Sequence, residues 1–133
     1  MKIIKTIASI AGVTAVGLGA FGAHALRSQL VANGRLEVWQ TAVLYHLIHA
    51  TALLALAFLA HPSATLANNS SPLPRIFTVM AVCWGIGTLL FSGSLYILAL
   101  YGVRGLGPVT PIGGLFFIVG WILVAFMPSR KHP

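Results

Sequence analysis

Three histidines fall in or beside long apolar runs: His24 in "GAFGAHAL", and His46 and His49 in "WQTAVLYHLIHATALL". Imidazole binds haem iron or zinc and titrates near neutral pH. Two histidines on facing helices could therefore hold a haem, and a row of them could carry protons. His49 sits near the middle of its run, and His46 lies a turn nearer the end that faces His24. Tyr45, His46 and His49 fall within roughly one helical face at about 100° per residue, with Thr41 beside them. A second polar group stands in "LFSGSLYILAL", where Ser92, Ser94 and Tyr96 occupy the middle of an apolar stretch. As a functional set, His24, Tyr45, His49, Ser92, Ser94 and Tyr96 are the candidate polar lining of a small-molecule or cofactor site. As a structural set, the histidines are neutral and hydrogen-bonded to Ser92, Ser94, Tyr45 or a backbone carbonyl, each bond contributing about 0.6 kcal/mol in a membrane.

Several chemistries are excluded. Glu37 is the single acidic residue, so there is no paired-carboxylate hydrolase and no Ser-His-Asp triad. The glycines lack a phosphate-loop spacing, and no Cys or carboxylate stands at metal-ligand spacing beside the histidines. Every Lys, Arg and Glu lies at or outside the end of an apolar run, whereas an ion-coupled transporter keeps a charged residue within a span. Glu37 is expected to pair with Arg27 or Arg104. Cys83, the lone cysteine, reads as a buried structural thiol. No catalytic residue, metal site or cofactor is implied.

The elements that must position these groups are membrane helices. The chain has 133 residues, 58% of them hydrophobic and 7% charged, with mean hydropathy +0.94. Soluble domains carry about 25% charged residues, so this surface belongs in lipid. Four runs are long enough to cross a bilayer: about 6–26, 39–60, 76–101 and 111–127. They predict one transmembrane domain over 1–133, an all-α, integral membrane four-helix bundle. The net charge of +7 sits beside the apolar runs and fits topology signals and lipid headgroups rather than nucleic acid. "RSQLVANGRLEV" is either a short interfacial helix or a loop, with Asn33-Gly34 as a turn. "HPSATLANNSSPLPR" is a loop, and its Asn69-Ser70-Ser71 triplet carries little weight. Thr110-Pro111 reads as a helix start with a hydroxyl cap. Trp39, Trp84 and Trp121 are interfacial anchors or packing residues. Lys2, Lys5, Arg75, Arg130 and Lys131 outnumber Arg27, Arg35 and Arg104 on the opposite side, which places both termini in the cytoplasm.

The first run resembles a secretory signal, with Lys2 and Lys5 ahead and Ala23-His24-Ala25 behind. Its full spanning length and its small residues argue that it is retained. Ala11, Ala15, Gly19 and Ala23 recur every four positions, as do Ala8, Gly12, Val16 and Ala20. Such faces let helix backbones approach closely in a membrane. Gly19, Gly22, Gly93, Gly113 and Gly114 are the expected helix-packing glycines, with the first span meeting "FSGSLY" and "IGG".

Together, "GAFGAHAL", "WQTAVLYHLIHATALL", "LFSGSLYILAL" and "TPIGGLFFIVGW" resemble the YgdD/YwdK family of small four-span bacterial inner-membrane proteins, which has relatives in animals. The resemblance implies a retained first helix and a multi-pass protein of the bacterial inner membrane, and no assigned activity. Family members often carry Gln at the position of His46 and Gly at that of Ala25, which argues against His46 as an obligatory ligand. The leading expectation is a non-enzymatic interaction or accessory subunit, whose partners are the lipid bilayer and other membrane proteins or itself. The alternative is a membrane bundle that binds a haem, a quinone or a lipid.

Overall fold

The computed structural model describes residues 2–60 and 75–127, and every regular element among them is helical. In chain order these are α1 (Lys2–Ala23), α2 (Arg27–Ala32), α3 (Leu36–Leu59), α4 (Arg75–Tyr101), a 3-10 turn (Arg104–Leu106) and α5 (Val109–Val124). The α1, α3 and α4 helices have 22, 24 and 27 residues. At about 1.5 Å per residue they exceed the ~30 Å hydrocarbon core. The 16 residues of α5 reach only about 24 Å. The chain beyond it stays apolar through Ala125, Phe126 and Met127, whose N–H groups bond Ile122, Leu123 and Val124 carbonyls at 3.1–3.2 Å. The molecule is a membrane helical bundle of three long apolar helices and a shorter fourth.

Turn chemistry sets the boundaries. α1 stops at Ala23, and residues 24–26 turn, with the Leu26 N–H on the Phe21 carbonyl at 2.8 Å. The next segment is a short helix, pinned by Leu30, which is fully buried. It ends where Gly34 takes φ 63° and the Arg35 N–H reaches the Leu30 carbonyl at 2.9 Å. α4 ends the same way. Gly102 takes φ 69°, donates to the Leu98 carbonyl at 2.9 Å, and has the Arg35 guanidinium packed against its α-carbon. α5 begins two residues before the expected start. Pro108 precedes it, no side chain caps it, and Pro111 falls in the first turn, where no backbone N–H partner is needed.

The helices pack in series: α1 on α3, α3 on α4, and α4 on α5. This corrects the expectation that α1 meets "FSGSLY" and "IGG". The α1 seam consists of Ile4, Ala8, Ala11, Ala15 and Gly22, a spacing of four and three that keeps step with a neighbouring helix. A strict four-step row advances about 40° each time. Accordingly Val16, Ala20 and Ala23, late members of those rows, are exposed. Two apolar clusters fill the interior. One joins Leu53, Leu56, Met80, Trp84 and Phe117. The other, beneath α2, joins Leu30, Trp39, Ala42, Tyr96 and Ala99.

Candidate functional site

His46 and His49 share α3 but face different neighbours. His49 is turned toward α5, where its ring stacks on Phe117 at 3.5 Å and 11°. Its Nδ1–H donates to the Tyr45 carbonyl at 2.7 Å, and its Nε2 accepts from the Trp121 Nε1–H at 3.1 Å. A carbonyl can only accept and an indole N–H can only donate, so the imidazole is neutral with both nitrogens engaged. Tyr45, Phe91, Trp84 and Trp121 complete the aromatic cluster. The α3 and α5 helices meet through these rings.

His46 is turned toward α1 and α4. Its Nε2 stands 3.3 Å from Thr14 Oγ1 and its Nδ1 3.4 Å from the Tyr96 hydroxyl. The single Thr14 hydroxyl proton goes to the Ile10 carbonyl at 2.8 Å. Hence Nε2–H donates to Thr14, and Nδ1 accepts from Tyr96. This relay joins α4, α3 and α1 through one side chain, 7% exposed.

In front of the relay, α1 and α4 stand apart. They border a cleft of about 570 Å³, walled by Ile7, Ile10, Thr14 and Leu18 of α1 and by Ile86, Leu89, Gly93 and Tyr96 of α4, with His46 and Leu53 of α3 behind. Its walls are hydrocarbon. The polar groups that reach it are engaged elsewhere: Thr88 donates to the Trp84 carbonyl at 2.8 Å, and Thr14, His46 and Tyr96 form the relay.

A family model described as "Protein of unknown function (DUF423)" matches residues 18–114, from the end of α1 into α5. The chain belongs to the DUF423 family. Bacillus subtilis UPF0382 membrane protein YwdK is 41% identical over 126 residues, covering 93% of this chain and 94% of that one. A UPF0382 membrane protein of Haemophilus influenzae is 38% identical over 121 residues, covering 91% and 89%. One from Schizosaccharomyces pombe is 36% identical over 123 residues, covering 89% and 94%. No solved structure matches the chain. The family resemblance read from the sequence is thereby established, and this DUF423 protein is a multi-pass membrane protein of an uncharacterised family.

The DUF423 chain does not gather its candidate residues into one site. His24 is exposed in the turn after α1, beside Arg27 and Ser28. Thr14, which meets His46, lies ten residues earlier, about 15 Å along a helix. A haem ligated by His24 with His46 or His49 is therefore not assembled. Tyr45 belongs to the α5-side cluster and Tyr96 to the relay. Ser94 donates to the Phe91 carbonyl at 2.9 Å and lies 2.7 Å from Thr110 Oγ1, joining α4 to α5. Ser92 is fully buried, and its hydroxyl has no hydrogen-bond partner among the described residues. Glu37 is exposed and forms no ion pair with Arg27; the Arg104 side chain, its other expected partner, lies outside the described residues. Cys83 is buried, as expected.

Among the packing glycines, a methyl added to Gly22 would strike the Trp39 indole, one on Gly113 would strike the Phe91 backbone, and one on Gly19 would stand 3.3 Å from Val43. Gly114 has only ordinary contact with Phe91, at 3.8 Å. Gly93 is a correction: a methyl there meets nothing within 4 Å, because this glycine opens on the cleft. Gly87 holds the close approach instead, with Phe117 at 2.5 Å and the Gly113 carbonyl oxygen at 3.1 Å from such a methyl. The residues that sequence reasoning missed are Thr14, Gly87 and Gly120, the last seated against the Trp84 indole. Thr14 carried one signal, as the lone hydroxyl in the middle of a small-residue run.

Proposed function

We propose that this DUF423 protein works without catalysis, as a membrane bundle that holds an apolar guest between α1 and α4. One observation carries the reading. A cleft of about 570 Å³ stands open between α1 and α4, whereas α1 on α3, α3 on α4 and α4 on α5 are in extensive contact, and ligand pockets typically enclose about 300–1,000 Å³. The polar groups behind it, Thr14, His46 and Tyr96, are hydrogen-bonded to one another, which supports a structural role for them. The histidines support no haem, since His46 and His49 already engage both ring nitrogens. The accessory-subunit reading draws on the same gap, which could seat a partner's helix.

The test is mass spectrometry of small molecules retained through mild-detergent purification, comparing the wild type with Gly93→Phe. The ring introduced by that substitution would enter the cleft, since a first side-chain carbon on Gly93 meets no protein atom within 4 Å. The wild type should retain a hydrocarbon-rich molecule that the variant has lost while melting at the same temperature. Identical retained sets from both proteins would refute the reading.

A further inference from the structure

We infer that His49 is a proton-operated latch on α5: one proton on its Nε2 releases the Trp121 side chain and leaves α5 seated on α4. The latch lies on the α5 side of α3 and stands apart from the cleft. The partners of the ring carry the inference. Nδ1–H donates to the Tyr45 carbonyl at 2.7 Å, and Nε2 accepts from the Trp121 indole N–H at 3.1 Å. Neither partner can change its role, because a carbonyl has no proton to give and an indole nitrogen accepts none. An imidazolium carries N–H on both nitrogens. Its Nε2–H would face the indole N–H, donor against donor. Protonation of His49 and the Trp121 bond therefore exclude one another.

The surroundings let the charged ring stay while the indole leaves. Phe117 presents its face to the imidazole at 3.5 Å and 11°, and an aromatic face within about 6 Å attracts a cation. The Tyr45 carbonyl accepts from Nδ1–H in both states. Trp121 is 47% exposed, so its indole has room to swing outward. α5 keeps its close approaches to α4 at Gly87, Gly113 and Gly120. No charged group meets the ring among the described residues. α5 carries no titratable side chain, and α4 meets the imidazole through Trp84. Of the titratable groups nearby, Tyr45 stands 6.3 Å away on α3, Tyr96 is bonded to His46, and Cys83 is a buried thiol on α4. His46 is built differently. Its partners are hydroxyls, Tyr96 on Nδ1 and Thr14 on Nε2, and a hydroxyl both gives and accepts. A proton on His46 asks only that the Tyr96 O–H rotate, and both contacts survive. Of the two buried histidines, His49 is the one that must break a contact when charged.

Indole N–H correlation NMR of the full chain in phosphatidylcholine nanodiscs tests this from about pH 8 to about pH 4, which brackets the ordinary histidine range. The chain has three tryptophans, hence three signals, and Trp121→Phe identifies the one that matters. In wild type the Trp121 signal should move from a hydrogen-bonded to a free position as the pH falls. The ratio of free to bound should change about tenfold per pH unit, as one proton requires. The Trp39 signal, whose N–H sits on the Leu18 carbonyl at 3.0 Å, should stay in place. His49→Gln supplies an amide oxygen that accepts from Trp121 and does not titrate, so its Trp121 signal should hold still over the whole range. If that variant fails to fold, the histidine nitrogen shifts of wild type decide: His49 must gain its second N–H at the midpoint of the Trp121 change. A Trp121 signal that stays hydrogen-bonded to the acid end, that moves alike in His49→Gln, or that is lost only together with the Trp39 signal overturns the latch.

Discussion

Gly113→Ala isolates the α4/α5 seam in one methyl group. The added carbon would lie 2.8 Å from Phe91 Cα and 2.9 Å from the Leu90 carbonyl carbon. Carbon contacts are most favourable at about 3.5–4.0 Å. These are backbone atoms in mid-helix and cannot rotate away, so α5 must retreat by about 0.7 Å at that level. A gap of that size forfeits about a quarter to a half of each dispersion contact. The loss spreads to Phe117 over Gly87 and to Gly120 against Trp84, which share the seam. Overpacking of this kind costs about 1–3 kcal/mol. Gly114→Ala is the control, one residue away in the same helix. Its methyl meets the Phe91 ring at an ordinary 3.8 Å, and alanine gains up to about 1 kcal/mol over glycine in a helix interior. Two adjacent Gly→Ala changes should therefore move stability in opposite directions, by about 2–4 kcal/mol between them. Thermal unfolding in mild detergent, followed by tryptophan fluorescence, reads the difference. Equal shifts would mean that α5 does not approach α4 through Gly113.

Gly87→Leu should lower the melting temperature far more than Gly93→Leu, because the first collides with Phe117 and the second enters open space; the reverse order would misplace the cleft. His46→Gln should keep near wild-type stability, since an amide offers one donor to Thr14 and one acceptor to Tyr96, whereas His46→Leu should lose about 0.6 kcal/mol for each bond removed. Chemical denaturation of the two variants, compared with wild type, measures this. His49→Leu removes the acceptor of the Trp121 indole and the ring stacked on Phe117. It should cost about 1–3 kcal/mol and shift the Trp121 emission, and unchanged melting would show that the aromatic cluster does not hold α5 to α3.

What could be read from the sequence was whatever a helix decides alone. Long apolar runs predicted all four membrane helices, and Asn33-Gly34 predicted the turn before α3. Partner choice lay outside its reach. Gly87 and Gly93 are the same residue type six positions apart on α4, yet one lies under Phe117 and the other faces a void. The distinction depends on where α5 stands, not on local spacing. Likewise Tyr45, His46 and His49 share a broad face of α3, but that face straddles two seams, so His46 goes to Thr14 and His49 to Trp121. The cleft carried no residue signature because it is a space between α1 and α4, defined by what those helices do not touch. The polar groups around it were visible as types, while their pairing needed contacts across 32, 50 and 72 residues of chain.

The serial packing also divides the molecule's cohesion into two parts. α1 is attached chiefly through α3, by a long seam of mostly small side chains, the Thr14–His46 contact and the Trp39 N–H on the Leu18 carbonyl at 3.0 Å. All of its interior backbone hydrogen bonds are its own, so leaving the seam exposes no unpaired peptide group to lipid. The aromatic cluster belongs wholly to α3, α4 and α5 and takes no ring from α1, so it does not depend on α1 for its packing.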